Sequence, residues 1–187
     1  MKKQPQITEQ TRKTLIKAFL QLNKKTEIQK ITINRICKTA NFNRSTFYQY
    51  FSDIYDLRNY IEDELLGKLD ILFKSNLSKI HLENYLEIFL GFYSENSEAF
   101  LILLGQNGDP YFYQKIKNTL KPTIYNVLSV DDNNIESDYI IEFTMSAMIS
   151  TISYWFEKNK NLNMNELSKL LYAIISTSIL PLLKNKM

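Results

Sequence analysis

The chain has 187 residues, of which 44% are hydrophobic, and it contains only four glycines and four prolines. This composition excludes a disordered chain and argues against a turn-rich β architecture, and the length suits one domain or a small domain joined to a larger one. Residues 1–50 hold eleven lysines and arginines and two acidic residues, whereas the remainder holds twelve and eighteen. A basic first part on an acidic remainder predicts contact with a polyanion, with a merely solvated basic face as the alternative.

Cysteine and histidine each occur once, at Cys37 and His81. A disulfide framework, a thiolate zinc cluster and a multi-histidine metal site are therefore excluded within one chain, and we expect no metal and no cofactor. No nucleophile–base pair or glycine-rich phosphate loop is visible, so no enzyme activity is expected.

The longest uncharged apolar stretches, Phe143–Phe156 and Leu170–Leu183, fall short of the roughly 18–20 residues of a membrane span, and no signal peptide is visible at Met1–Lys3. These features predict a soluble, cytoplasmic protein that does not enter a membrane.

Apolar residues recur at helical spacing through most of the chain. The pattern predicts helices at 8–24, after Thr32, and at 44–50, 53–79, 81–94, 97–104, 110–120, 137–159 and 164–184, with a polar loop at 131–134. Asn41–Asn43 is expected to form a tight turn, because asparagine tolerates left-handed backbone angles. Asn43 is expected to cap the third short helix, and Asn163 with Glu166 three residues later predicts a capping-box-like start of the last helix. Pro181 is expected to kink or end the last turn of that helix. We therefore predict an all-α protein with an N-terminal three-helix, helix-turn-helix domain at residues 1–55. A helical domain for dimerisation and effector binding follows at residues 56–187.

Two short helices joined by a tight turn in a basic segment meet the physical requirements of a helix-turn-helix. Their small core consists of Ile33, Ile36, Cys37, Ala40, Phe42 and Phe47. The second short helix concentrates polar and aromatic groups, and these suit DNA because arginine donates twice to guanine, glutamine pairs with adenine and hydroxyls bind phosphate. On pattern alone, an ordinary helical hairpin with an exposed polar face is the alternative.

The run from Thr32 to Phe51, followed by Asp56-Leu57, resembles the DNA-binding signature of the TetR/AcrR family of transcriptional regulators. The resemblance is strong over residues 8–60, and residues 93–120 and Trp155–Glu157 look like the C-terminal domain of a Firmicutes-type branch. It implies that Thr32 caps the second helix and touches phosphate. It further implies DNA contacts, to base edges or to phosphates, from Thr32, Asn34, Arg44, Ser45, Thr46, Tyr48, Gln49 and Tyr50.

Two positions depart from the family pattern. Asn41 stands where the family usually has glycine, which the backbone tolerates. Ile54 stands where the family usually has a lysine that contacts phosphate at the start of the fourth helix. The N-terminus of that helix, at Asp53, would then offer only backbone N–H groups to a phosphate.

The last two predicted helices are apolar on more than one side, so each must be buried on more than one side. Packing against the same helices of a second copy, as a four-helix bundle, would achieve this, with intrachain core alone as the alternative. The dimer interface predicted in this way consists of Ile140, Phe143, Ala147, Trp155, Leu171, Ile174, Ile175 and Ile179.

Aromatic residues are concentrated in the middle of the chain. They predict a pocket for a small hydrophobic effector, with ordinary core packing as the alternative. The predicted pocket residues are Phe89, Phe92, Tyr93, Phe100, Tyr111 and Tyr125.

The function predicted from the whole sequence is that of a homodimeric repressor that binds a palindromic double-stranded DNA operator and is released by a small effector. The alternative is a regulator-like adaptor whose helical body binds a protein partner and whose DNA binding is weak.

Overall fold

A computed structural model of the chain describes residues 5–76, 82–128, 130, 134–158 and 160–184. Throughout these ranges every regular element is helical, which confirms the all-α fold. The helices are α1 Pro5–Asn23, α2 Ile33–Ala40, α3 Arg44–Phe47, α4 Ile54–Asn76, α5 Leu82–Glu95, α6 Ser97–Leu103, α7 Phe112–Leu128, α8 Ile135–Glu157, α9 Met164–Ile174 and α10 Leu180–Lys184. A 3-10 turn lies at Ile28–Lys30 and a π-helical segment at Ile175–Ile179. The predicted helix residues 77–79, 81 and 159 and the predicted loop residues 131–133 lie outside the described residues.

The helices group into two compact units. Unit 1 consists of Met1–Leu65 and Glu98–Phe112, and unit 2 consists of Leu66–Ser97 and Tyr113–Met187. The division between the units falls inside α4 rather than at residue 55, and a segment from the middle of the chain belongs with the N-terminal helices. The boundary at residue 55 between a DNA-binding and an effector domain stays a prediction about function.

The core of unit 1 is built from one face of each N-terminal helix. Leu15 and Phe19 of α1, Ile36 of α2, Phe47 of α3 and Leu57 of α4 are all fully buried. Leu15 and Phe19 are four residues apart and therefore lie on the same side of α1, where they form its apolar stripe. Burial of Phe47 holds the short α3 on this core by one side and leaves the rest of α3 facing outwards.

Polar contacts within unit 1 attach the connection from α6 to α7 to the N-terminal helices. The side-chain amide of Asn23, at the end of α1, donates a hydrogen bond to the carbonyl oxygen of Asn107 at 2.8 Å. The guanidinium of Arg58 lies 3.3 Å from the carboxylate of Glu62 and 3.5 Å from that of Asp109. Because Glu62 and Asp109 are both buried, removing Arg58 would take away a cation that both carboxylates contact, which is destabilising.

Unit 2 has an aromatic core. The rings of Phe73, Tyr85, Phe89, Tyr93 and Phe156 form a connected series, with the centroids of contacting rings 5.0 to 6.3 Å apart. All five side chains are buried. Tilted and edge-to-face pairs at these separations add to the free energy gained by burying the rings.

The helix α7 is longer than the sequence predicts. The pattern predicts a helix at 110–120, but α7 begins at Phe112 and continues through Pro122 to Leu128. The proline ring has no N–H for the carbonyl of Asn118, and both residues are exposed, so water can reach that carbonyl. The burial of the apolar side of α7 therefore outweighs the local preference for a stop.

The irregularity near Pro181 also differs from the expectation. The helical path continues through this residue to Lys184, and the change in hydrogen bonding precedes it, in the π-helical segment. Within that segment the hydroxyls of Ser176 and Thr177 both donate to the carbonyl oxygen of Ala173, at 3.2 and 2.7 Å. These side chains supply donors to the backbone at the point where the regular i→i−4 pattern changes.

Because the helical path is not interrupted, Met164–Leu183 forms one helix of 20 residues. By length and composition alone it could cross a membrane, contrary to the expectation from the shorter uncharged stretches. Within this helix 33% of the apolar window is buried, so much of its apolar surface is exposed in a single copy. A core or interface helix of a soluble protein passes the same test, so this helix is weak support for a membrane span.

Candidate functional site

The turn between α2 and α3 has the geometry that the sequence predicts. The Thr32 hydroxyl caps α2 by accepting a hydrogen bond from the backbone N–H of Arg35 at 3.3 Å. Asn41 ends α2 in the left-handed conformation, with φ 56° and ψ 42°. The N–H of Phe42 then donates to the carbonyl oxygen of Cys37 at 2.9 Å, which closes the turn. These bonds fix how α3 leaves α2.

Asn43 organises the start of α3. Its side-chain oxygen accepts hydrogen bonds from the backbone N–H of Thr46, from the Thr46 hydroxyl and from the Ser45 hydroxyl, at 2.8, 2.8 and 2.7 Å. The cap at Asn43 is confirmed, and the asparagine also positions two of the predicted DNA-binding side chains. The sequence predicts Asn43 only as a cap. Hydroxyl residues two and three positions after an asparagine are the sequence signal for the additional hydrogen bonds that it accepts here.

The helix α3 is shorter than predicted, because its α-helical part ends at Phe47 rather than at Tyr50. The next residues continue in tighter turns, with Gln49 N–H bonded to the Thr46 carbonyl at 3.2 Å and Tyr50 N–H bonded to the Phe47 carbonyl at 3.0 Å. Phe47 and Phe51 are both buried and their ring centroids are 5.7 Å apart. The chain therefore tightens so that both rings reach the core before α4 begins.

None of the predicted DNA-binding residues of this motif is fully buried. Thr46 and Tyr50 are partly buried, and the other six are exposed, namely Thr32, Asn34, Arg44, Ser45, Tyr48 and Gln49. Arg44 donates a hydrogen bond to the Tyr48 hydroxyl at 3.1 Å, and its guanidinium lies 5.8 Å from the Tyr48 ring. This hydrogen bond raises the pKa of Arg44, so the guanidinium remains charged. A fixed, charged guanidinium beside a phenol is suited to a guanine edge or a phosphate, and which of them it contacts stays a prediction.

Arg12 is a basic residue near this surface that the sequence did not single out. Its guanidinium lies 5.9 Å from the ring of Tyr50 and donates to the Tyr60 hydroxyl at 3.3 Å. It is also paired with Glu9 at 3.0 Å. The helical pattern of α1 marks Arg12 only as polar, because its proximity to Tyr50 depends on how α1 packs.

The start of α4 does not offer the phosphate site that the sequence left open. Asp53 accepts hydrogen bonds from the N–H groups of Tyr55 and Asp56, both at 2.8 Å. Asp56 accepts in turn from the N–H of Ser52 at 2.7 Å. Because two carboxylates already occupy this helix N-terminus, they satisfy the amides and repel an anion. Nothing at this helix N-terminus replaces the lysine that the family usually has at the position of Ile54.

Asn43→Ala is expected to lower the free energy of unfolding by about 1 kcal/mol, because α3 loses its cap and two hydroxyls lose their acceptor. Urea denaturation of the purified chain measures this change. Asn43→Ser is the matched control, since serine is also a good cap, and it is expected to retain most of the stability. Equal stability of the alanine variant and the native chain would contradict the assignment of Asn43.

Unit 2 contains an apolar cavity of about 90 Å³. Its walls come from α4, α5, α7, α8, the π-helical segment and α10, and the lining includes Phe73, Phe89, Ile124, Met145, Ile149 and Ile175. Helices from distant parts of the sequence therefore surround one apolar space.

The predicted pocket residues are not assembled around this cavity. Of the six, Phe89 lines it, whereas Phe92, Tyr93 and Tyr125 are buried elsewhere in unit 2. The other two belong to unit 1: Phe100 packs against Phe112 with centroids 6.0 Å apart, and Tyr111 is 74% exposed. Most members of the aromatic set are core, which was the alternative reading of this set.

A second apolar surface runs along the outside of α8 and the last helix, and we name it the apolar face. Its exposed large side chains are Ile135, Tyr139, Phe143, Tyr154, Leu170, Ile174 and Leu182. Of the residues predicted for the dimer interface, Phe143, Ala147 and Ile174 are exposed and Ile140 is partly buried. The other four, Trp155, Leu171, Ile175 and Ile179, are buried inside unit 2 and belong to its core. Both helices are apolar on two sides, and these four residues lie on the sides that pack against the rest of unit 2.

Comparison with known proteins gives consistent results for both parts of the chain. A family model for the C-terminal region of transcriptional regulators matches residues 81–177, which is more than half of the chain. The HTH-type dhaKLM operon transcriptional activator DhaS of Lactococcus lactis is 24% identical over 143 residues, covering 74% of this chain and 75% of that protein.

Solved structures share the fold over nearly the whole chain. A TetR transcriptional regulator from Streptococcus agalactiae matches with a TM-score of 0.65 and 24% identity, over 91% of this chain and 96% of that one. The fatty acid degradation regulator FadR from Bacillus halodurans matches with a TM-score of 0.68 and 15% identity, over 96% of this chain and 98% of that one. The all-helical fold of this chain is thus shared with these structures.

Proposed function

The chain belongs to the TetR/AcrR family of DNA-binding transcriptional regulators, and from this premise we propose that it binds a palindromic operator as a homodimer and represses transcription. The observation that carries the proposal is the outward side of α2 and α3. There the capped α3, entered through the left-handed turn at Asn41, and the tighter turns that follow it present Arg44, Tyr48 and Gln49 to solvent. Such a segment fits the major groove, where arginine and glutamine distinguish base pairs.

The apolar face supports the homodimer. Phe143 is 66% and Ile174 is 50% exposed in a single copy, and both residues belong to unit 2. Exposed apolar side chains concentrated on two helices mark an interaction surface, and two copies of a helix pair bury such surfaces as a four-helix bundle. A second copy also supplies the second α3 that a palindrome requires, about 34–36 Å from the first. The same pairing would cover the apolar helix Met164–Leu183 without a membrane, in keeping with a cytoplasmic protein.

Release by a small hydrophobic effector is the second part of the proposal. The cavity of unit 2 is lined by helices that include α8 and the π-helical segment, and α8 also carries part of the apolar face. An occupant that prefers one arrangement of these helices would change the separation of the two α3 helices in the dimer. The occupant could weaken operator binding by no more than the ratio of its own affinities for the two arrangements.

Arg44→Ala is the direct test of base reading by α3. On a footprinted operator, the substitution is expected to cost about 1–3 kcal/mol of binding free energy at one symmetric base position and to relax the preference there. Binding to a set of operators with single base changes measures this effect. Tyr48→Phe tests the contribution of the Arg44–Tyr48 hydrogen bond separately, because it keeps the ring and removes only the hydroxyl that accepts from Arg44. An equal loss on every sequence would make Arg44 a phosphate contact instead.

Two observations favour other outcomes. The similar protein DhaS is named as an activator. If expression of a reporter gene under the operator falls when this chain is deleted, the chain activates transcription rather than represses it.

The carboxylates of Asp53 and Asp56 occupy the start of α4, and the loss of a phosphate contact there favours the adaptor that binds DNA weakly through unit 1. A palindromic footprint at nanomolar protein would exclude the adaptor.

A further inference from the structure

We propose that the cavity of unit 2 selects an uncharged apolar molecule of roughly six carbon atoms, such as an alkanol or a small ring, and rejects the carboxylate of the same length. The inference rests on the proposed effector function, because it specifies the chemistry of that effector. Within the described residues, no lysine, arginine, histidine, aspartate or glutamate lines the cavity. A carboxylate placed there would lose its hydration and gain no cation.

Two lysines of α7, close in sequence to the cavity lining, are already paired. On α7, Lys117 forms an ion pair with Glu142 of α8, and Lys121 forms one with Asp138. The Tyr125 hydroxyl also donates to Asp138, at 2.8 Å. Hydrogen bonds from Lys121 and Tyr125 lower the pKa of Asp138, so this carboxylate remains an anion and continues to hold its lysine. An incoming anion would have to compete with these carboxylates for either lysine.

The few polar groups in the lining are hydroxyls. The Thr144 hydroxyl donates to the Ile140 carbonyl oxygen of its own helix at 2.6 Å. Burial raises the pKa of Tyr85, which keeps that hydroxyl neutral. Thr123 is the third hydroxyl residue and is buried. Hydroxyls of this kind can accept or donate one hydrogen bond to an alcohol, but they do not neutralise a charge.

The size of the cavity limits the occupant. A dry cavity of about 150 Å³ lined by aliphatic and aromatic groups holds benzene in another protein. The cavity of about 90 Å³ here is smaller, but it is partly open at the surface, and Met145 and Met148 in its lining can rearrange around a ligand. A six-carbon alcohol or ring is therefore a suitable probe.

Calorimetric titration of the full chain with 1-hexanol and with hexanoate at pH 8, in the absence of DNA, tests the proposal. Hexanol is expected to bind at least about tenfold more tightly than hexanoate, because only the carboxylate must be desolvated without a partner. Ile124→Trp, which fills the cavity from α7, is expected to abolish hexanol binding. Asn118→Trp places the same bulk on the exposed side of α7 and is the matched control, with unchanged binding.

Thr123→Lys provides a test by gain of function. A buried ammonium in the lining is expected to reverse the preference, so that hexanoate binds more tightly than hexanol. Asn126→Lys, at an exposed position of the same helix, is expected to leave the preference unchanged. If Thr123→Lys does not fold, the ratio of hexanol to hexanoate affinity in the native chain decides the question alone.

Equal binding of hexanol and hexanoate by the native chain, or no binding of either, would overturn the inference. The operator footprint separates this failure from failure of the proposed function, because it is measured without any ligand. If hexanol binds as expected but leaves operator affinity unchanged, the cavity inference holds and effector release is wrong.

Discussion

Phe143→Glu combined with Ile174→Glu is expected to convert the homodimer into a folded monomer and to reduce operator affinity by about 100-fold or more. Both side chains are at least half exposed in a single copy, so the substitutions leave the core of unit 2 intact. In the dimer, each glutamate would be buried without a cation, which costs about 3–5 kcal/mol per unpaired charge. A monomer then reaches only one half-site and loses the contacts of the second α3. Sedimentation velocity and operator titration measure the two effects.

Ile71→Glu is the matched control for this pair. Ile71 is an apolar residue of α4 that is 68% exposed and lies outside the apolar face. The control is expected to remain dimeric and to bind the operator normally. A double variant that still sediments as a dimer would refute the assignment of the apolar face, and dissociation of the Ile71 variant would show a nonspecific effect of charge.

The caps and the first turn could be predicted from the sequence because they depend on neighbouring residues. Thr32, Asn43 and Asn163 each accept a backbone N–H three residues ahead, as predicted, and Asn163 with Glu166 completes a capping box. The left-handed conformation of Asn41 belongs to the same class. Each of these features is decided within about four residues, where side-chain chemistry and backbone geometry leave few alternatives.

Helix ends near proline could not be predicted in the same way. The rule that proline stops a helix is local, and it was overridden at Pro122, where apolar residues continue the buried side of α7. At Pro181 the chain remains helical, and the change in hydrogen bonding lies before it, in the π-helical segment. Tertiary burial contributes more than the local penalty in both cases.

Periodicity identified apolar helices but not the direction of each apolar side. In α8, Trp155 was predicted at the interface and is buried in the core, where its indole N–H donates to the Leu162 carbonyl at 2.8 Å. Phe143, on the same helix, faces outwards. The aromatic set had the same ambiguity, because Phe100 and Tyr111 belong to unit 1 and only the long-range packing of the α6–α7 connection reveals it.

Operator binding is expected to weaken by about a thousandfold or more between 50 and 200 mM salt, provided that the dimer neutralises about six phosphates or more. Residues 1–50 carry an excess of lysine and arginine, and Arg35, Lys38 and Arg44 are exposed on α2 and α3. Two copies double this set. Electrophoretic or fluorescence titration across a salt series gives the slope of the logarithm of affinity against the logarithm of salt concentration.

The slope also decides between a regulator and an adaptor, because it counts phosphate contacts rather than total affinity. Lys38→Ala is expected to reduce the slope by about one for each copy if Lys38 contacts phosphate, with the same loss on every sequence. The carboxylates of Asp53 and Asp56 oppose phosphate at the start of α4, so Asp56→Asn is expected to steepen the slope slightly.

A flat salt response in the native chain would mean that the basic surface does not contact the DNA backbone. The exposed side of α3 would then be an ordinary polar surface, and the adaptor would account for the chain better than the repressor.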